Sequence, residues 1–114
     1  MQAHNHRKVV FYKSYFAEFF EKLRVKSKDK ILWTLRLIEE HEFVPNQYLK
    51  HIEGTDGLYE IRVQFGREQY RIFCFFDEDK LIVLANGFHK KSQKTPRIEI
   101  DRALKIKTEY ENEQ

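Results

Sequence analysis

Apolar residues recur along this chain with two different periods, and the change between them divides it. Phe16, Phe19, Phe20 and Leu23 fall at i, i+3, i+4 and i+7, one face of a helix, with Ser14 placed as its N-cap. That spacing predicts a first helix over residues 14–25. Ile31, Leu35 and Ile38 form a second stripe, widened by Trp33 and Leu37, behind a cap at Ser27; this helix should end near Glu40-His41, ahead of Pro45. A short β-type run, Lys8 to Tyr12, precedes both. From Leu49 the pattern turns strand-like. Leu49 to Glu53, Leu58 to Phe65, Tyr70 to Phe76 and Leu81 to Phe88 are β-branched or aromatic-rich runs, separated by Gly54-Thr55-Asp56-Gly57, Gly66-Arg67-Glu68 and Asp77-Glu78-Asp79. Short polar turns between such runs predict antiparallel hairpins, and the last two runs are apolar enough to lie mid-sheet with both faces covered. Thr95-Pro96 supplies an N-cap and an N1 proline ahead of Ile98, Ala103, Leu104 and Ile106, so a last helix is expected over residues 96–110.

These elements predict an α+β fold: a short N-terminal strand and a helical hairpin packed on an antiparallel sheet of about four strands, with a C-terminal helix. A chain of 114 residues suits one domain over 1–114, burying roughly 65% of its unfolded surface in a single core. Residues 1–7 and 111–114 are expected to be mobile ends. With 41% hydrophobic and 15% aromatic residues, disorder over most of the length is excluded. The single cysteine, Cys74, lies in an apolar run, so it predicts a buried core thiol and no disulfide framework. No apolar stretch approaches the ~20 residues of a membrane span, and the polar start carries no signal-peptide core. A cytoplasmic protein with no membrane partner is the expectation. His4 and His6 lack a third ligand nearby, so no metal site and no cofactor are expected.

Charge distribution says more than the formal net charge of +3. Lys90, Lys91, Lys94, Arg97, Arg102, Lys105 and Lys107 stand against only Glu99 and Asp101 in the same stretch, so that segment carries the polarity. Its leading edge, Gly87-Phe88-His89-Lys90-Lys91-Ser92-Gln93-Lys94-Thr95-Pro96, runs straight from an apolar strand into a histidine and three lysines. The chain has no Gly-rich phosphate loop, nucleophile elbow or paired His-Glu metal motif, which removes the usual parts for nucleotide hydrolysis, acyl transfer and metal hydrolysis. Cations with a histidine remain, and metal-free RNA cleavage needs little more. A base takes the 2′-hydroxyl proton, cations hold the phosphorane charge, and an acid protonates the leaving 5′-oxygen. Arg62 and Arg71 extend the set. If Phe65 faces Tyr70 across the turn, Arg62 faces Phe73 and Gln64 faces Arg71, which puts both arginines on one face of the sheet. The bland alternative is that they pair with Glu60 or Glu68 at the sheet surface.

Leu49-Lys50-His51, Leu58-Tyr59-Glu60-Ile61-Arg62, Tyr70-Arg71-Ile72-Phe73 and the run GFHKKSQKTP resemble the RelE/ParE superfamily of type II toxins, most closely its HigB-like, phage-related branch. The resemblance implies an endoribonuclease toxin that cuts mRNA on the ribosome and is neutralised by a cognate antitoxin. It gives Arg71 the support of the scissile phosphate, makes His89 a proton-transfer candidate, and puts Lys90 and Lys91 at the neighbouring positions; Arg62 joins Arg71, His89 and Lys90 in the expected catalytic group through the face it shares with Arg71. Lys50 and His51 would line the RNA groove, with Lys91, Lys94 and Arg97 binding RNA phosphates. A glutamate that serves as base in some members has no counterpart near Gln47, which leaves His89, His51 or a ribosomal group for that role. Two other readings stay open at this point: a ParE-like inhibitor that binds DNA gyrase, and a non-catalytic RNA-binding domain.

Overall fold

Two helical stripes and five strand-forming runs resolve into three layers in a computed structural model that describes residues 5–113. In chain order the elements are β1 (Lys8–Phe11), α1 (Tyr15–Phe20), α2 (Val25–Glu40), β2 (Leu49–His51), β3 (Leu58–Phe65), β4 (Glu68–Asp77), β5 (Leu81–His89) and α3 (Arg97–Asn112). The sheet order is β1-β5-β4-β3-β2. Strands β2 to β5 form the expected antiparallel meander, and β1 adds a fifth strand that pairs parallel with β5, Lys8 opposite Leu81. The fold is α+β and compatible with the RelE-like fold.

Both faces of the sheet are covered, which is why β4 and β5 read as nearly continuous apolar runs. On one face Ile61, Val63, Tyr70, Ile72, Cys74, Ile82 and Leu84 pack against Phe16 of α1 and Ile31, Leu35 and Ile38 of α2. On the other, Leu58, Phe73, Phe75, Val83, Ala85 and Phe88 pack against Ala103 and Ile106 of α3. Cys74 is a buried free thiol, as its run predicts, and burial pushes its pKa well above the ordinary thiol range.

Several boundaries differ from the sequence pattern. Helix α1 stops at Phe20, and α2 starts at Val25, so Ser27 is not its cap. Ser27 lies inside α2, fully buried, and its hydroxyl shares a 2.8 Å hydrogen bond with the Tyr70 hydroxyl. Ser14 holds the N-cap position of α1 but bonds the Glu18 carboxylate rather than the helix backbone. Pro96, not Thr95, is the N-cap residue of α3. Trp33 does not widen the buried stripe of α2; it keeps 45% of its surface exposed. At the start of the described chain, the His6 amide donates to the Glu39 carbonyl, and the Arg7 guanidinium donates to the carbonyls of Ile38, His41 and Glu42. Residues 111 and 112 continue α3. Met1 to His4 and Gln114, and with them half of the His4–His6 pair, lie outside the described residues.

Two local features of the sheet decide where the polar side chains go. The β3–β4 turn is tighter than the sequence suggests: Phe65 pairs with Glu68, leaving Gly66 and Arg67 as a two-residue loop. Gly66 takes φ +60°, the Gly-first requirement of a type II′ hairpin. Arg62 therefore faces Arg71 and not Phe73. The turn is shorter by two residues rather than one, so parity survives and both arginines still share a face. The second feature is a β-bulge in β5. Ile72 pairs with Gly87 and Cys74 with Leu84, so Ala85 and Asn86 together oppose Phe73. The extra residue inverts the alternation beyond it. Phe88 consequently joins the α3 side opposite Arg71, while His89 lies opposite Tyr70 on the side of α1 and α2.

Candidate functional site

The sheet gathers its cations on one face, at the end away from the core of α3. Arg62 and Arg71 are cross-strand neighbours, and Lys50 of β2 pairs with Glu60 of β3, two residues from Arg62 along the strand. Alternation then puts Lys50, Glu60, Arg62 and Arg71 on the same side. Lys90 follows on that side too: its amide donates to the Gln69 carbonyl, extending the β4–β5 ladder by one residue.

Glu60 is the anchor of this group. It is 3% exposed, and its Oε1 accepts from Arg62 Nε at 2.8 Å, while its Oε2 lies 4.0 Å from Arg71 Nε. Neither Oε2 nor Arg71 Nε has a hydrogen-bond partner among the described residues. Arg71 is itself 7% exposed and spends its terminal nitrogens on the Tyr70 carbonyl and the Gln69 side chain. Desolvation lowers the Arg71 pKa, opposed by Glu60 and reinforced by Arg62. Lys90 is lowered as well, by desolvation first and then by the field of Arg71 and Arg62 against Glu60. Two guanidiniums share one buried carboxylate and Lys90 lies within their field, leaving an excess of positive charge where a second anion would be stabilised.

The histidines go to the other face. His89 packs on the Tyr70 ring, with centroids 5.0 Å apart, and its Nε2 contacts the Glu68 carboxylate. His51 lies edge-on to Tyr59 and shares a hydrogen bond with the Thr55 carbonyl. In each His-Lys pair, Lys50-His51 and His89-Lys90, the lysine joins the arginines and the histidine does not. The two sides meet at the end of the sheet. A cavity of about 350 Å³ is lined by Arg62, Arg71, Gln69, Gln47, Tyr48, Lys30 and Thr34. A larger one, about 690 Å³, is lined by Gln69, His89, Lys90, Lys91, Glu68 and Arg67. Gln69 borders both.

The remaining basic residues extend outward. Lys91 and Lys94 are exposed in the loop before α3, which Ser92 closes by donating to the Lys94 carbonyl. Arg97 forms an exposed i, i+4 pair with Asp101 at 3.0 Å. Of the two acids offered as partners for these arginines, Glu60 pairs with both, though it is buried and not at the sheet surface, while Glu68 contacts His89 instead. Gln69 is the site residue the sequence pattern did not single out, since it gave no signal beyond turn polarity.

Residues 18–108 match the family described as Phage derived protein Gp49-like (DUF891). The chain belongs to this family. Gp49-like phage-derived proteins fall within the RelE/HigB-like toxin superfamily, and a phage-related toxin fits both that membership and the fold. The matched stretch of this Gp49-like chain spans every candidate site residue from Lys50 to Arg97. No curated protein matches the chain. Among the described residues, no helix of this Gp49-like protein is long and apolar enough to cross a membrane.

Proposed function

We propose that this Gp49-like protein is the toxin of a type II toxin-antitoxin system and acts as a metal-independent endoribonuclease on mRNA, at the ribosome. The observation that carries the reading is the pairing of Arg62 and Arg71 on the buried Glu60 carboxylate, with Lys90 on the same side of the sheet and in their field. Arg71 and Arg62 hold the scissile phosphate, with Glu60 fixing the Arg62 fork. The 2′-oxygen attacks phosphorus and the bond to the 5′-oxygen breaks, leaving a 2′,3′-cyclic phosphate and a free 5′-hydroxyl. Lys90, whose ammonium is more acidic than an ordinary lysine's, gives its proton to the departing 5′-oxygen. The base that takes the 2′-hydroxyl proton stands apart from the arginine face: His89, held by Glu68 at the end of the sheet, His51, or a group of the ribosome. Lys50, His51, Lys91, Lys94 and Arg97 hold flanking phosphates. A cognate antitoxin restrains the activity.

Expression of the chain alone tests the reading. Growth arrest should come with loss of mRNA, and Arg71→Ala should relieve it without loss of fold. Intact transcripts during arrest would oppose it.

One observation favours a second reading, a non-catalytic RNA-binding domain: His89 lies on the face opposite Arg62 and Arg71. Tight RNA binding with no cleavage by purified protein would select it.

A further inference from the structure

Trp33 projects from α2 off the buried stripe, and Phe65, at the tip of β3, is 36% exposed. Between them lies a shallow cavity of about 390 Å³, lined by Trp33, Phe65, Lys26, Asp29 and Lys30. The Lys30 ammonium sits 4.1 Å from the centroid of the Trp33 ring, and Tyr48 meets that ring edge-on at 6.1 Å. Lys30 and Tyr48 also line the cavity that holds Arg62 and Arg71. The aromatic shelf and the phosphate-seeking cations are therefore one continuous surface.

We infer that Trp33 and Phe65 form a nucleobase slot, in which one base of a single-stranded RNA stacks while neighbouring phosphates lie on Arg62 and Arg71. The inference rests on the RNA reading above and adds where the strand runs: around the free edge of β3 toward α2. Single-stranded RNA is the occupant that matches both halves of the surface. It carries flat π-faces for the rings and an anion beside every base for Lys26, Lys30 and the arginines. Stacking on aromatic side chains tolerates any base, so the slot would position the strand without selecting its sequence.

Trp33 is the only tryptophan of the chain, so its emission reports on the slot directly. A short fluorescein-labelled 2′-O-methyl oligoribonucleotide, which cannot be cut, should quench Trp33 saturably, with the same midpoint as its anisotropy change. An abasic oligomer of equal length should bind without quenching. Trp33→Leu, and independently Phe65→Ser, should each lower affinity by about five- to a hundredfold, the range of one base–aromatic stack. Circular dichroism confirms that each variant is folded.

RNA binding with unchanged emission and unchanged affinity of both variants would overturn the slot, while weaker binding of Arg71→Ala would keep the phosphate site. Quenching that survives Arg71→Ala at full affinity would uphold the slot and remove the phosphate reading. Quenching by an acidic helical peptide and not by RNA would overturn the slot in favour of a protein partner. No binding at all would overturn both.

Discussion

Arg62 and Arg71 face each other across β3 and β4 and share one buried carboxylate, Glu60, which bonds the first at 2.8 Å and lies 4.0 Å from the second. Like charges directly opposite in a sheet are destabilising, so the pair depends on the anion between them. With Glu60 neutral, the two guanidiniums would be left without their counter-charge in a mostly buried position.

Glu60→Gln should therefore lower stability, toward the low end of the ~3–5 kcal/mol seen when one partner of a buried pair is removed, since Arg62 is partly exposed. Urea unfolding measures this. Added phosphate should restore more stability to the variant than to the parent, because the arginines then lack their internal anion. Equal stability of variant and parent would show that Glu60 does not hold the pair.

Gly87 gives a prediction about packing. A Cβ at this position would stand 2.5 Å from Cδ2 of Phe19, which fills the space beside β5. Gly87→Ala should cost about 1–3 kcal/mol through overpacking. Phe19→Leu in the same chain should recover part of the loss in a double-mutant cycle. Additive effects would mean that the cost of the methyl group does not come from its contact with Phe19.

Much of this arrangement was legible in the residues, and the parts that were not have identifiable causes. Strand order followed from short polar turns, and the shared face of Arg62 and Arg71 followed from parity, although the turn was two residues tighter than its composition suggests. The bulge at Ala85-Asn86 was hidden because both residues are buried and sit in an apolar run. That single extra residue sends His89 away from the arginines, so the convergence expected of His89 with Arg62 and Arg71 reduces to Lys90. The break after Phe20 has no glycine or proline to mark it. Nor could a four-residue run announce that β1 pairs in parallel with β5, since that contact is set by where α1 and α2 return the chain.

Lys90 makes the activity sensitive to alkali. The proposed acid must be protonated, and its pKa is lowered, so the rate should fall as pH rises through a value below the ordinary lysine range of about 10.4. Lys90→Arg keeps the charge but cannot give up a proton, so it should slow cleavage and abolish that limb. A limb retained in the variant would belong to another group. The same lowered pKa means that charged Lys90 costs stability below its folded pKa, a cost relieved as pH rises from there toward the ordinary value.

Salt separates binding from chemistry. If Lys90, Lys91, Lys94 and Arg97 hold phosphates, log affinity for single-stranded RNA should fall with log salt at a slope of about −0.7 per contact. Lys94→Gln should make that slope shallower by about one contact and slow the cut of bound RNA little. Affinity independent of salt would remove the basic segment from the interface.

Cleavage by purified protein tests the proposed function most directly. The parent chain, Arg71→Ala and Lys90→Arg are each incubated with free mRNA in the presence of EDTA and with mRNA on translating ribosomes in magnesium, with gyrase supercoiling measured in parallel. The parent should yield discrete fragments ending in 2′,3′-cyclic phosphate and leave supercoiling unaffected. Arg71→Ala should lose about a hundredfold or more in rate, the usual consequence of removing one donor to a transition-state anion. Intact mRNA in every parent reaction would contradict the account, and blocked supercoiling in the same preparation would replace it with inhibition of gyrase.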